Sequence, residues 1–201
     1  MPFFVCLLQS KLPATMAALV PFVLAALFIL FSISLYNNLV RSRVRTREAW
    51  SGIDVQLKRR ASLIPNLVQT VQGYATHEHA VFSEVAAARG ALAKATGPAA
   101  SAAADGFLTQ ALGKLMAVAE AYPALQAAAN FAQLQSELSD TEEKIAYARQ
   151  FYNVNAMNYN TRIASFPGNI LAGMFRFEPV TFFEADPSVN QDVQVSFAAK
   201  A

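Results

Sequence analysis

The chain is short of the residues from which reactive sites are usually built. It holds one cysteine, Cys6, which excludes an intramolecular disulfide and a cysteine-rich metal site. It holds two histidines, His77 and His79. Side chains two apart on a helix point about 200° from each other, so this pair cannot share one metal ion. His77-Glu78-His79 also lacks the spacer of the His-Glu-x-x-His zinc helix. No glycine-flanked serine elbow and no phosphate-cradling glycine loop is present. Cys6 lies before a long apolar run and far along the chain from both histidines, which removes the remaining nucleophile and base. The expectation is a protein that is not an enzyme, with no catalytic residue, no metal ligand and no cofactor.

Charge is scarce as well. Charged residues make up 15% of the 201, against about a quarter in ordinary soluble domains. A net charge of +2 is too small to argue for nucleic acid as a partner. What abounds is apolar, 54% of the chain, and that excess has an address. No charged residue falls between Leu12 and Val40. Residues 14–35 would measure roughly 33 Å as a helix at ~1.5 Å per residue, matching a hydrocarbon core of ~30 Å. The pattern predicts a short extramembrane segment over 1–13 and a single transmembrane helix over 14–35, with Pro21 near its start, where a kink costs least. A cleavable signal peptide is the competing reading, since Ser32 and Ser34 form a small-x-small pair. The length of the run and the lack of a charged opening count against it. A lipidated Cys6 is rejected because Phe3, Phe4 and Val5 are not the small residues that should precede it.

Flanking cations set an orientation. Arg41, Arg43, Arg45 and Arg47 follow the run, whereas Lys11 and the α-amino group precede it, so the body is expected in the cytoplasm and the N-terminus outside. On a helix Arg41 and Arg45 share one face and Arg43 and Arg47 another. The four therefore read as a topology signal that touches anionic headgroups, not as one concentrated docking patch.

Beyond the run the apolar period is helical. Tyr36, Leu39, Arg43, Thr46, Trp50, Ile53, Leu57, Arg60 and Ile64 step by threes and fours; Leu67 to Leu92 repeat the step up to Ala95-Thr96-Gly97-Pro98. A third stripe runs from Leu108 to Tyr122 and stops at Pro123, and a fourth keeps a heptad from Phe131 to Tyr159 until Phe166-Pro167-Gly168. None can bury its stripe alone. The predicted fold is all-α: an antiparallel four-helix bundle over 36–185 with a partly extended C-terminal tail over 186–201. Pro65 is expected to start a new helix, because proline is cheap at a first position and costs ~3 kcal/mol inside a helix. Helix one would then end near Leu63, with Lys58, Arg59 and Arg60 in its last turns. The alternative is one kinked helix from the membrane to about Ala95, kept open by the lack of turn residues around Pro65.

Several of these stretches resemble the signature of the LemA family. They include Ala49-Trp50, Ile53 to Arg60, Leu63-Ile64-Pro65-Asn66-Leu67-Val68, Gly73-Tyr74-Ala75 with His77-Glu78, Ala119 to Pro123, Asn130-Phe131, Ala148-Arg149, Tyr152-Asn153, Tyr159-Asn160, Phe166-Pro167 and Phe183. Ser62, Gln72 and Gln126 depart from the charges common there. The resemblance implies a bacterial single-pass protein of the inner membrane with a four-helix domain and no established catalysis. It also implies a context of HtpX-type membrane metalloproteases, signalling proteins and membrane organelles. The expected function is a non-catalytic scaffold or adaptor that presents a bundle to a membrane or cytoplasmic protein. A membrane-shaping protein is the alternative and a membrane hydrolase the last. The bilayer, one such protein and further copies of this chain are the partners considered.

Individual residues sharpen the picture. Trp50 is read as a packing residue. Asp54 is expected to pair with Lys58 four residues on. Inner-facing acids, from among Asp54, Glu78, Glu120 and Glu142, are expected to pair with Arg43, Arg60 or Arg149 and to fix helix register at little net stabilisation. Tyrosine-asparagine recurs at Tyr36-Asn37, Tyr152-Asn153 and Tyr159-Asn160, and a returning last helix should bring Tyr159 near Tyr36 at the membrane interface. The apolar end Phe166, Ile170, Leu171, Met174, Phe175 and Phe177 either caps the bundle base or lies among headgroups. After Asp186, alternating Val193, Val195 and Phe197 suit a docked extended segment or a peptide offered to a partner.

Overall fold

The computed structural model describes residues 14–184. Helix α1, Ala14–Gln72, is 59 residues long, roughly 88 Å at ~1.5 Å per residue, and it lives in two environments. Its first part is long and apolar enough to cross a membrane, and none of the other described residues covers it. Phe22, Phe28 and Leu30 stand fully outward there. From Leu39 onward one side is buried, through Thr46, Ala49, Ile53, Leu57, Arg60, Ile64, Leu67 and Val71.

The rest of the body follows from four further pieces. Helix α2 spans His79–Lys94, α3 Pro98–Glu120, the short α4 Pro123–Gln126, and α5 Ala129–Ala164. A last short helix, α6, covers Gly168–Met174. Among the described residues there is no strand, so the all-α reading holds. The largest shared interface joins α1 to α5, which run antiparallel. Arg162 bonds to Asn38, the Thr46 hydroxyl donates to the Asn155 carbonyl at 3.2 Å, and Arg59 meets Asp140 at 3.3 Å. Residue numbers rise on α1 as they fall on α5. Helices α2 and α3 form a hairpin, tied by Lys114 and Glu84 at 2.6 Å, which rests on the C-terminal half of α1. Gly97 makes the hairpin turn at φ 80°, a conformation that only glycine adopts without strain, and Pro98 opens α3 at a position where its missing N–H goes unmissed.

The expected helix start at Pro65 is overturned: Pro65 lies inside α1, which continues to Gln72 and ends at Gly73. The alternative of a helix reaching Ala95 also fails, because the chain turns between Gly73 and Glu78 before α2. The buried stripe explains the continuity. Arg60, Ile64, Leu67 and Val71 keep their phase straight through the proline, so burial of one continuous face offsets its cost. The missing bond is also replaced. Pro65 has no N–H to give the carbonyl of Ala61, and the Nε of Arg89 on α2 donates to that oxygen at 3.0 Å.

A double-mutant cycle checks this repair. Pro65→Ala should raise stability by about 1–3 kcal/mol, because alanine restores the helical donor. Arg89→Ala should cost about 0.5–1 kcal/mol in the native chain and close to nothing beside Pro65→Ala. Thermal melts of the four proteins measure it, and equal losses in both backgrounds would contradict the role given to Arg89.

Candidate functional site

Residues 177–184 follow α6 as an extended strap laid along α5. A helix spends its backbone groups on itself, so an extended neighbour must find side-chain partners. The two tyrosine-asparagine pairs of α5 supply them. The Tyr159 hydroxyl donates to the carbonyl of Glu178 at 2.9 Å, and Asn160 donates to the Val180 carbonyl at 2.8 Å while accepting from its N–H at 3.0 Å. One heptad earlier the Tyr152 hydroxyl donates to the carbonyl of Thr181 at 2.7 Å. Asn153 holds both backbone groups of Phe183, at 3.0 and 2.9 Å. The repeat fits by length: seven helical residues rise ~10.5 Å and three extended residues cover ~10 Å. Burial pushes both tyrosine hydroxyls above their ordinary range, so they remain protonated donors at neutral pH.

The strap closes the seam between α1 and α5. Phe183 is buried, with its ring 6.1 Å from Trp50 and the Arg149 guanidinium 5.8 Å above it. Trp50 meets Tyr152 edge-on at 5.9 Å, as a packing residue should. Tyr36 does not take Tyr159 as its neighbour; its ring partners are Phe175 at 4.8 Å and Phe177 at 5.9 Å. The docked extended stretch therefore precedes the expected one, and the segment after Asp186 lies outside the described residues.

Under the hairpin sits a buried ion pair. Arg60, 4% exposed, donates to Asp105 on α3 at 2.8 Å, while its Nε has no hydrogen-bond partner among the described residues. Burial pushes the Asp105 carboxyl up, against the opposing pull of Arg60. The expectation of a register-fixing pair on Arg60 was right in kind and wrong in partner. Asp54 bonds Lys58 at 2.6 Å, as the spacing implies. Among the described residues Glu78, Glu120 and Glu142 make no ion pair: Glu120 and Glu142 face solvent, and Glu78 precedes α2 half-buried. Asp105 lies one turn before Leu108, the first residue of the third stripe; extending Leu108 and Leu112 backward by the same step reaches it.

The outer side of the α1–α5 seam is an open groove of about 820 Å³. Its floor is small, at Ala49, Gly52 and Ala148, and Tyr147 and Phe151 stand exposed along its wall. Its lining carries both signs, with Arg45 and Lys144 among Glu48, Asp140 and Glu143. Asp140, paired with Lys144 at 2.8 Å, is held below the usual carboxylate range chiefly by that hydrogen bond. Pro65 and Asn66 lie exposed on α1, away from these contacts, and Asn66 uses its carbonyl for the Thr70 hydroxyl. His77 and His79 are exposed at the turn into α2, and among the described residues no three metal-binding side chains gather.

A helix able to cross a membrane, continuous with a strapped helical body, defines a membrane-anchored helical protein. The chain belongs to the LemA family, whose model matches residues 49–197. It is 31% identical to magnetosome protein MamQ 2 of Paramagnetospirillum magneticum and 30% identical to magnetosome protein MamQ of Magnetospirillum gryphiswaldense, each over 76% of this chain. The chain spans 66% of the length of those two relatives. Protein LemA of Metamycoplasma hominis is 26% identical over 80% of this chain and 74% of its own.

Two substitutions test the site. Asn153→Ala should speed hydrogen exchange at the Phe183 amide by an order of magnitude or more and leave the amides of α3 unchanged, as local release of a strap requires. Arg60→Met should destabilise the chain by about 3–5 kcal/mol, because it strands a buried carboxylate, while Arg60→Met with Asp105→Leu should recover most of that loss or exceed the native stability. The folded state holds the Asp105 proton more tightly than the unfolded chain does. Its contribution is complete below about pH 3.9 and is lost as pH rises through the raised folded value, so the native chain should lose ground to the double variant across that range in parallel thermal melts.

Proposed function

We propose that the chain is a membrane-anchored, non-catalytic scaffold that presents its helical body at the inner face of a bacterial membrane to a protein partner. The observation that carries this reading is the α1–α5 groove. It sits on the helix that enters the membrane, with exposed aromatic side chains above a small-residue floor and charges of both signs in its lining. Exposed aromatics beside a shallow trench are the usual anchors of protein interfaces. The two buried tyrosines and their asparagines are engaged by the strap, and Arg60 and Asp105 engage each other, so these side chains serve the fold. An HtpX-type metalloprotease or a signalling protein is the class of partner the family resemblance favours, and a second copy of the chain is the other candidate for the groove. The four arginines after the span support the cytoplasmic placement of the body.

A membrane-shaping role is the second reading, favoured by the relatives that are named magnetosome proteins. One pair of measurements separates the two. Photoactivatable benzoylphenylalanine replacing Phe151 in native membranes should give a discrete adduct that is absent when it replaces Phe107 on α3, and the purified protein should leave liposome shape unchanged. Tubulated or vesiculated liposomes without a groove-specific adduct would replace the scaffold with the membrane-shaping reading.

A further inference from the structure

The base of the body has an apolar face that the fold leaves open. Helix α6 divides by side: Gly168 and Ala172 are buried, while Ile170 and Met174 are 57% and 69% exposed, and Phe166, just before the helix, is 80% exposed. Each helical pair is spaced by four, so each forms one stripe of the short helix. The helix cannot roll to hide its outer stripe. A Cβ at Gly168 would collide with the carbonyl oxygen of Arg162, so the inner stripe is pressed onto the end of α5. Phe175 continues the open face, half-exposed beside the Tyr36 ring.

The height of this face relates it to the membrane. Phe166, Pro167 and Gly168 line one crevice with Leu35 and Leu39 of α1. Leu35 ends the stretch read as the transmembrane span, so the open face is level with the point where α1 leaves the hydrocarbon. The residues around it suit that level. Tyr36 packs beside Phe175, Arg162 is bonded to Asn38, Arg43 lies 5.9 Å over Phe177, and Arg176 follows α6; Glu178 is the acid beyond it. Apolar side chains flanked by tyrosine and arginine are the composition of segments that lie along a bilayer surface.

We infer that the open face at α6, made by Ile170 and Met174 on the helix with Phe166 and Phe175 at its two ends, lies in the headgroup layer of the bilayer that α1 crosses. This rests on the membrane-crossing reading of α1. The body then touches the membrane at two places, a crossing helix and a surface helix, and cannot swing about the exit of α1. Of the two sequence-based readings of this segment, each stripe satisfies one: the inner stripe caps the bundle and the outer stripe meets lipid.

The test uses the full chain in vesicles of phosphatidylcholine and phosphatidylglycerol in equal parts, in a Cys6→Ser background that leaves no other thiol. Single nitroxide labels are placed through Ile170→Cys, Met174→Cys, Leu27→Cys in the span, and Phe107→Cys. Phe107 is exposed on α3 close to Asp105, whose partner Arg60 lies roughly 37 Å along α1 from Leu35 at ~1.5 Å per residue. The ratio of oxygen to nickel-chelate accessibility should be severalfold higher at positions 170 and 174 than at 107, approaching that at 27. A ratio at 170 and 174 equal to that at 107, with position 27 lipid-like, overturns the surface contact and leaves the anchor standing. Labels at 170 and 174 shielded from both reagents also overturn it, since a protein surface then covers the face. A water-like ratio at all four positions overturns the anchor together with the contact.

Discussion

The architecture depends on one helix satisfying two solvents without a break. Residues 19–33 of α1 are apolar and uncovered, and from Leu39 the same helix buries a single stripe against the body. No turn, glycine or proline intervenes between Phe31 and Gly52. A flexible linker would leave the orientation of the body free. A continuous helix transmits it, because every residue's φ and ψ are held by the hydrogen bonds of its neighbours. The seam with α5, the strap and the small helix α6 are therefore positioned relative to the membrane by the backbone of α1.

The strap shows how an α-helical protein accommodates an extended peptide without a sheet. A primary amide presents an N–H and a C=O side by side much as a peptide group does, so Asn153 and Asn160 act as isolated rungs of a β-ladder. Each neighbouring tyrosine adds a bond from a ring that is itself part of the core. The order imposed is local, since the bonded positions advance three by three and are held at only two heights. Phe183 supplies the apolar anchor that makes this ordering worth its entropy, wedged against Trp50 with Arg149 above it.

Much of this was legible in the residues. The apolar run, the helical stripes, the Asp54 and Lys58 pair and the importance of the tyrosine-asparagine repeat could all be read by spacing. What could not be read was partner identity, which depends on which faces meet in space. Tyr159 reads from sequence as an interfacial residue because tyrosine favours both membrane surfaces and buried hydrogen bonds; only the path of residues 177–184 distinguishes the two. Pro65 was misread for a different reason. The rule that proline opens helices is local, whereas the unbroken phase of Ile64, Leu67 and Val71 is a property of the whole buried face, and burial outweighs a ~3 kcal/mol local penalty when the face is long. Arg60 and Asp105 interrupt two separate stripes, and two charges on apolar faces are natural partners for each other, since neither can be buried alone.

That buried pair also bears on what the body is for. An ionic contact in an apolar setting contributes little net stability, and the raised carboxyl of Asp105 shows desolvation outweighing the attraction of Arg60. Its value lies in geometry. A hydrophobic stripe tolerates sliding by a turn, whereas a charge displaced by one turn from its partner is left unpaired in the core. Arg60 and Asp105 thus set the height of the α2–α3 hairpin on α1, and the Arg89 bond to the carbonyl of the next residue, Ala61, sets it a second time. Two directional contacts at consecutive residues of α1 imply that the relative position of hairpin and anchor helix matters beyond stability. On the proposed reading, the backbone of α1 holds the groove and its two aromatic side chains at a fixed distance from the lipid surface, and the two contacts hold the hairpin at a fixed distance from the groove.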